Sequence, residues 1–193
     1  MIRMSKNMNT NMKDIYNKEA KPALMKKFFY KSSMAVPRLE KVVVNTSFGK
    51  LLSTKTGDDR KKSEEEILKD LATITSQKPL ITLAKDSIAG FKTRKGMRLG
   101  AKVTLRQSRM YDFLERLFNA VLPRSRDFRG LDPKGVDPMG NFTLGLKEHL
   151  FFPEISPEKV RNSMGLEITI VTSAKTREEG LELLRLLRAP FKK

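Results

Sequence analysis

The stretch GAKVTLRQSRMYDFLERLFNAVL, residues 100–122, decides the fold class because its hydrophobic period changes midway. Its first part, 100–107, alternates apolar with polar residues, as a half-buried strand does, and the polar set is Lys102, Thr104 and Arg106. From Arg109 to Leu122, apolar residues recur at the i, i+3, i+4 and i+7 spacing, which predicts an amphipathic helix that Pro123 ends. A half-buried strand followed directly by a half-buried helix indicates an α+β domain.

The rest of the chain continues this pattern on both sides. Further strands are predicted at 39–46, 79–84, 141–147 and 166–172. Helices are predicted at 13–30, after the capping box of Ser63 with Glu66, and after that of Thr176 with Glu179. The segments 49–62 and 124–140 lack a period and predict loops. Because no regular βαβ repeat occurs, we predict one mostly antiparallel sheet backed by helices on one face, with extended basic loops.

Basic residues dominate the chain and concentrate in its first part. Lys and Arg total 39 against 22 Asp and Glu, a formal net charge of +17. Residues 1–110 hold 25 of the basic and 10 of the acidic residues, and residues 78–109 hold nine basic residues with Asp86 as their only acid. This excess predicts a polyanionic partner that contacts mainly the first part of the chain.

The sequence lacks the residues that several classes of chemistry need. Without cysteine it can form no disulfide, thiolate zinc site or cysteine nucleophile. His149 is the only histidine and stands beside two phenylalanines, where packing is a more common role than catalysis. The spacing of Gly90 and Gly96 fails the phosphate-binding loop pattern, and we assign the acids 64–66 to the first turn of a helix. We therefore predict a protein that is not an enzyme and has no cofactor and no metal site.

A cationic strand face next to a glycine-flanked cationic loop suits folded RNA. The shallow minor groove of A-form RNA presents 2′-hydroxyls and phosphates to a polar sheet surface. Charge alone leaves duplex DNA open, although no helix-turn-helix or zinc-finger spacing is present. Two alternatives are an RNA-binding protein of another class or an RNA chaperone, and a scaffold whose positive charge only keeps it soluble.

The two ends of the chain differ in organisation. Residues 1–11, MIRMSKNMNTN, have neither a helical period nor the apolar core of a signal peptide, so we predict a disordered N-terminal extension. Residues 12–193 form a single RNA-binding domain in this prediction. No window approaches the roughly 18 apolar residues of a membrane span, and we expect a soluble, cytoplasmic protein. A short organellar presequence, and so an organellar location, is the weaker alternative.

Six collinear blocks closely resemble the fifth large-subunit ribosomal protein of bacterial type, a family that binds 5S rRNA in the central protuberance. The similarity runs from about residue 12 to residue 193, whereas residues 1–11 and a lengthened segment at 49–62 depart from the family pattern. The blocks are YNKEAKPALMKKF from Tyr16, VPRLEKVVVNTSFG from Val36, QKPLITLAKDSIAGFKTRKGMRLGAKVTLR from Gln77, MYDFLERLFNAVLPRSRDFRG from Met110, GNFTLGLKEHLFFPEI from Gly140, and the final APFKK.

The resemblance implies particular partners and contacts. It implies a ribosomal protein that binds 5S rRNA and 23S-type rRNA, with Lys41, Asn45, Gln77 and Thr104 on the 5S rRNA side. The strand pattern adds Lys102 and Arg106 to that side. The family's tRNA-contacting loop, which reaches the peptidyl-site (P-site) tRNA, corresponds to Phe91, Lys92, Thr93, Arg94, Lys95, Gly96, Met97 and Arg98. A bridge to small-subunit ribosomal protein thirteen is also implied, and we assign it to the loop 124–140.

Overall fold

The computed structural model describes residues 11–52, 55, 57–91, 93–126, 128–160 and 162–192. Within them, five strands form a single sheet in which every neighbouring pair is antiparallel. The strands are β1 (Leu39–Ser47), β2 (Leu80–Leu83), β3 (Arg98–Leu105), β4 (Phe142–Leu146) and β5 (Leu166–Thr172). Their order across the sheet is β2-β3-β1-β5-β4, so β1 lies at the centre.

The alternation of apolar and polar residues determines which side of the sheet is buried. Val44 of β1 stands opposite Val103 of β3 and Ile168 of β5, and all three side chains are at most 1% exposed. Branched apolar side chains pack well on a pleated surface, and burying each contributes about 1.5 to 3 kcal/mol. The intervening residues of the same strands face the other way, which leaves the second side of the sheet largely polar.

Seven α-helical segments lie within the described residues, and two of the connections between them are π-helical. Tyr16–Ala20 joins the first helix to the second, and Leu117–Val121 joins the fifth to the sixth. Each π-helical turn precedes a proline, Pro22 or Pro123, which cannot donate a backbone hydrogen bond. The segments are α1 (Met12–Ile15), α2 (Lys21–Phe28), α3 (Gly49–Leu52), α4 (Gly57–Thr75), α5 (Gln107–Arg116), α6 (Leu122–Arg124) and α7 (Arg177–Leu186).

The apolar sides of the helices complete one core with the buried side of the sheet. Ile67 of α4, Phe113 of α5 and Leu183 of α7 belong to the same buried cluster as the strand residues. Leu117, in the π-helical turn after α5, is fully buried in this cluster. The stripe of apolar residues in 109–122 is therefore core, and the predicted α+β fold with one antiparallel sheet is confirmed.

The segment 49–62, predicted as a loop, is largely helical in the structure. It contains α3 and the first turns of α4, which begins at Gly57 rather than at the predicted capping box. Asp58 and Asp59 occupy the first turn of α4, where carboxylates interact favourably with the helix dipole. Ser63 is therefore inside the helix and caps nothing; its hydroxyl accepts a hydrogen bond from Lys55 Nζ at 2.8 Å.

Two further boundaries differ from the prediction. Strand β3 begins at Arg98 and ends at Leu105, two residues earlier at each end than the alternation suggested. Helix α5 follows at once, with Arg106 as its N-cap residue and no side-chain cap, so it begins at Gln107, two residues before the predicted Arg109. By contrast, Thr176 caps α7 as predicted, since its Oγ1 accepts a hydrogen bond from the Glu179 amide at 3.3 Å.

Candidate nucleic-acid interface

Strand register gathers three rows of side chains on the side of the sheet that faces away from the core. The first row crosses all five strands, the second crosses four and the third crosses two. We call these residues the open sheet face: Leu80, Lys102, Asn45, Glu167 and Gly145; Thr104, Val43, Thr169 and Thr143; and Lys41 with Val171.

Four of the predicted 5S rRNA-binding residues lie together on the open sheet face. Asn45 stands directly opposite Lys102, and Lys41 and Asn45 point to the same side of β1. Thr104 is half-buried, and its hydroxyl has no hydrogen-bond partner among the described residues. These side chains share a surface of hydroxyl, amide and ammonium groups.

Hydrogen bonds hold several polar groups of this surface in fixed positions. Asn45 Nδ2 donates to Glu167 Oε2 at 3.2 Å, which leaves the Asn45 carbonyl oxygen directed away from that contact. The hydroxyls of Thr143 and Thr169 lie 3.2 Å apart and share a hydrogen bond. Such bonds reduce the side-chain freedom that a ligand would otherwise have to remove.

Gln77 borders the open sheet face instead of standing in its rows. It precedes β2, and its Nε2 donates to the backbone carbonyl of Thr104 at 3.3 Å. Its Oε1 accepts a long hydrogen bond of 3.5 Å from Arg109 Nη1. Gln77 thus ties the end of α4 to β3 and brings Arg109 to the margin of the face.

The sequence prediction missed the contribution of β4 and β5 to this surface. Thr143, Glu167 and Thr169 occupy the polar positions of two alternating segments, so the period-two signal was present in the sequence. What the signal lacked was the strand order, which places β5 beside β1 although Asn45 and Glu167 are 122 residues apart. Glu167 also reduces the charge of the surface, whose only cations within the three rows are Lys41 and Lys102.

The loop between β2 and β3 is held by its own backbone hydrogen bonds. Ala84 N donates to Met97 O at 2.8 Å, and Gly96 N donates to Ala84 O at 3.0 Å. Further out, Ile88 and Thr93 form an antiparallel bridge. Gly96 has a φ of +82°, which suits the turn from Arg94 to Met97. We call residues 84–97 the hairpin loop.

The hairpin loop presents cations together with apolar side chains. Arg94 and Lys95 are exposed, and Phe91 and Ile88 are 76% and 50% exposed. Lys92 belongs to the predicted tRNA-contacting set but lies outside the described residues. This surface combines positive charge with a large exposed aromatic ring near its tip.

Arg98 lies outside the hairpin loop, although the family resemblance includes it in the tRNA-contacting loop. It begins β3, and its Nη1 lies 2.7 Å from Glu64 Oε1, a carboxylate whose side chain is only 7% exposed. Arg60 Nη2 in turn donates to the Arg98 carbonyl at 3.4 Å. Glu64 therefore anchors the base of the loop to α4, which corrects its assignment to a helix N-terminal turn.

Arg106 lies at the margin of the open sheet face, directly beyond the last residue of β3. It lines a groove beside the start of α5, together with Lys13 and Arg38. Its backbone is still extended, with φ −140° and ψ 161°, so the alternation of β3 continues through Arg106 to the start of α5.

The single histidine has a packing role. His149 is fully buried, its Nδ1 accepts a hydrogen bond from the Met164 amide at 3.2 Å, and its Nε2 lies 3.5 Å from Asp70 Oδ2. Burial lowers the pKa of His149 and raises the pKa of Asp70. Across the described residues, no group of three or more His, Asp or Glu side chains is arranged to hold a metal ion.

The described helices also differ from a membrane span in length or composition. None of them is both long enough and apolar enough to cross a membrane.

Comparison with known proteins gives two family matches that together span most of the chain. Residues 32–94 match the family described as ribosomal protein L5, and residues 98–191 match the family described as the C-terminus of that same ribosomal protein family.

Individual relatives extend the similarity to nearly the whole length. A protein of Halothermothrix orenii is 53% identical over 176 residues, which cover 91% of this chain and 95% of that protein. A protein of Alkaliphilus oremlandii is 50% identical over 182 residues, covering 94% and 98%. One of Brevibacillus brevis is 50% identical over 186 residues, covering 96% and 100%. Each carries the name large ribosomal subunit protein uL5.

Proposed function

This chain is a member of the ribosomal protein L5 family, and on that premise we propose that it binds 5S rRNA through its open sheet face. It is a structural protein of the large ribosomal subunit and not an enzyme. We base the finer assignments to individual RNAs and partners on this family membership together with the groups that its two polar surfaces present.

The observation that supports the proposal most is the composition of the open sheet face. Its three rows contain three threonine hydroxyls, one amide and two ammonium groups, but only one carboxylate. Double-stranded RNA offers 2′-hydroxyls and phosphate oxygens in a wide, shallow minor groove, and these groups pair with donors and acceptors of this kind. A sheet surface can lie along such a groove without inserting an element.

The low net charge of this surface favours selective binding. Lys41 and Lys102 can contact phosphates. Glu167 repels phosphates, and its carboxylate accepts the hydrogen bond of the Asn45 side-chain amide. Affinity here therefore depends on hydrogen-bond geometry more than on unspecific attraction, and geometry distinguishes one folded RNA from another.

We assign the hairpin loop to tRNA in the peptidyl site. Its exposed Arg94 and Lys95 supply phosphate contacts that carry no sequence preference, as a site used by many different tRNAs requires. Phe91 adds an exposed ring able to stack on a base or sugar. The assignment to tRNA itself rests on family membership.

The remaining partners follow from the same premise. We assign the segment 124–140 to the contact with small-subunit ribosomal protein thirteen, and other surfaces to 23S-type rRNA and the central protuberance. The relatives named above are bacterial, so the expected location is the cytoplasmic ribosome.

The proposal is tested by titrating the protein with 5S RNA and with a scrambled RNA of equal length over a range of salt concentrations. We expect tighter binding to 5S RNA at every salt concentration. Equal affinities for both RNAs, each falling by a log-log slope of roughly 0.7 to 0.9 per neutralised phosphate, would instead indicate an unspecific RNA chaperone.

A further inference from the structure

A groove beside the N-terminus of α5 contains cations that the proposed function leaves unused. Three positive side chains line it, and each comes from a different part of the chain. Lys13 lies in α1, Arg38 directly precedes β1, and Arg106 directly follows β3.

No carboxylate neutralises these cations among the described residues. None of the three side chains forms an ion pair there, and the one acid that lines the groove, Glu40, forms none either. In a protein surface, a convergent set of cations without acidic partners is the electrostatic footprint of an anionic ligand.

A tyrosine hydroxyl provides a second and independent indication. Tyr111 of α5 lines the same groove, and although the residue as a whole is only 8% exposed, its hydroxyl is accessible and has no hydrogen-bond partner among the described residues. Without a protein partner, this hydroxyl is free to donate a hydrogen bond to a ligand in the groove. The equivalent group of neighbouring Tyr16 does have such a partner, since it donates to the Pro37 carbonyl at 3.1 Å.

The end of α5 contributes further donors. Arg106 is the N-cap residue and provides no side-chain cap, so the amides of the first turn keep their capacity to bind an anion. Burial raises the pKa of Tyr111 while Arg38 lowers it, which agrees with a guanidinium close to the hydroxyl. The hydroxyl thus remains protonated and acts as a donor.

We propose that this groove, formed by Lys13, Arg38, Arg106 and Tyr111, binds a phosphate of the RNA backbone as a contact separate from the open sheet face. The inference rests on the proposed RNA-binding function and extends it. Two guanidinium groups, one ammonium, one phenolic hydroxyl and a helix N-terminus match the several acceptor oxygens of a phosphodiester. A phosphate contact of this type holds the RNA in register without reading its sequence.

The test compares a groove variant with a control variant of equal charge. The groove variant is Arg38→Gln with Arg106→Gln. The control is Lys62→Gln with Arg185→Gln, two exposed cations whose side chains form no ion pair or hydrogen bond within the described residues. The slope of log affinity against log salt is measured on both 5S RNA and scrambled RNA, after equal melting temperatures establish that all proteins are folded.

We expect the groove variant to show a slope shallower by at least roughly 0.7 on both RNAs, and the control variant to keep the slope of the unmodified protein. Tyr111→Phe should keep the slope and lose about threefold in affinity, because it removes one donor and no charge. A groove-variant slope equal to that of the control would overturn the proposal.

Titration with inorganic phosphate alone shows whether the groove binds free phosphate or a phosphate of the RNA backbone. If phosphate saturably shifts the NMR signals of the first-turn amides of α5 while the RNA slopes stay unchanged, the groove is a site for free phosphate and its assignment to RNA is wrong. A preference for 5S RNA over scrambled RNA is a separate readout. Equal affinity for the two RNAs would therefore contradict the proposed function, while the slopes of log affinity against log salt would still test the groove.

Discussion

The open sheet face and the hairpin loop differ in how the fold holds their side chains. Neighbours in the three rows of the face come from strands far apart in sequence, so only the complete sheet can assemble them. The hairpin loop is closed by hydrogen bonds between residues 84 and 97 and between residues 88 and 93, within one short segment. The face is a product of the global fold, whereas the loop is a local structure mounted on its edge.

The two regions also differ in the groups they present. The face offers mostly hydroxyl and amide groups with two cations and one acid, and the loop offers exposed cations with a large aromatic ring. Hydrogen-bond geometry distinguishes folded RNAs, while phosphate contacts act on any of them. The difference indicates that selective binding and general electrostatic binding are assigned to separate surfaces of one small domain.

The largest effect should follow from removing the core that supports both regions. Leu117 is fully buried, so Leu117→Ala should lower the free energy of unfolding by about 2 to 5 kcal/mol through lost burial and a residual cavity. Chemical denaturation measures this loss. The folded fraction should still prefer 5S RNA; a stable variant with impaired RNA binding would instead place Leu117 at an interface.

The next largest effect is a loss of stability at the base of the hairpin loop, which substitutions near its tip should not cause. Arg98→Ala should destabilise the protein by about 1 to 3 kcal/mol, because it leaves the buried Glu64 carboxylate without its partner. Arg94→Ala, at an exposed position, should change stability by less than about 0.5 kcal/mol. Adding Glu64→Gln to Arg98→Ala should recover part of the loss. Equal melting temperatures for Arg98→Ala and Arg94→Ala would show that Arg98 does not anchor the loop.

Substitutions on the open sheet face should change RNA affinity more than stability. Asn45→Ala and Thr104→Val each remove a polar group that the core does not use, and each should cost on the order of 1 kcal/mol of 5S RNA binding. Filter-binding titrations combined with thermal melts distinguish the two effects. Unfolding of either variant would mean that its side chain supports the core, and unchanged affinity in both would exclude the face as the binding site.

Removing charge from the hairpin loop should weaken tRNA binding and leave 5S RNA binding nearly unchanged. Arg94→Ala with Lys95→Ala should leave 5S RNA affinity within about threefold, yet weaken the retention of peptidyl-site tRNA by ribosomes assembled with the variant. Arg98 is left unchanged here because its guanidinium is engaged by Glu64. A collapse of 5S RNA binding with normal tRNA retention would reverse the division between the two regions.

The smallest effect is expected from shortening the N-terminus. Deleting residues 1–10 should leave folding and 5S RNA affinity nearly unchanged, since these residues show no apolar period. The deletion keeps Asn11, whose Oδ1 accepts a hydrogen bond from the Lys13 amide and caps α1. A tenfold loss of affinity, about 1.4 kcal/mol, would show that Arg3 or Lys6 makes a real contact.

Sequence periodicity predicted the elements of this fold well because each strand has one buried side. The alternation in 166–172 matched β5 at both ends, and the apolar stripe of 109–122 matched the buried side of α5 and its continuation. Periodicity could not predict where β3 gives way to α5, since Arg106 continues the alternation although it already stands at the N-cap of the helix. That single residue lies at the end of β3 and also lines the groove beside the start of α5.

Long-range pairing accounts for the remaining differences. Glu64 looked like one of three acids at a helix start, but it neutralises Arg98, 34 residues away, inside a helix that begins earlier than predicted. Glu167 had no visible role until the register placed it against Asn45. Local sequence shows which positions are polar, but only the assembled sheet shows which polar groups meet.

The central claim, that the open sheet face binds 5S rRNA, is tested most directly by tethered cleavage from single cysteines. The chain contains no cysteine, so Thr143→Cys at the rim of the face and Arg94→Cys on the hairpin loop each provide a unique attachment point for an iron chelate that generates hydroxyl radicals. In complexes with 5S RNA, we predict strong cleavage at a few discrete nucleotides from position 143 and only weak cleavage from position 94. Discrete cleavage from position 94 with none from position 143 would contradict the account.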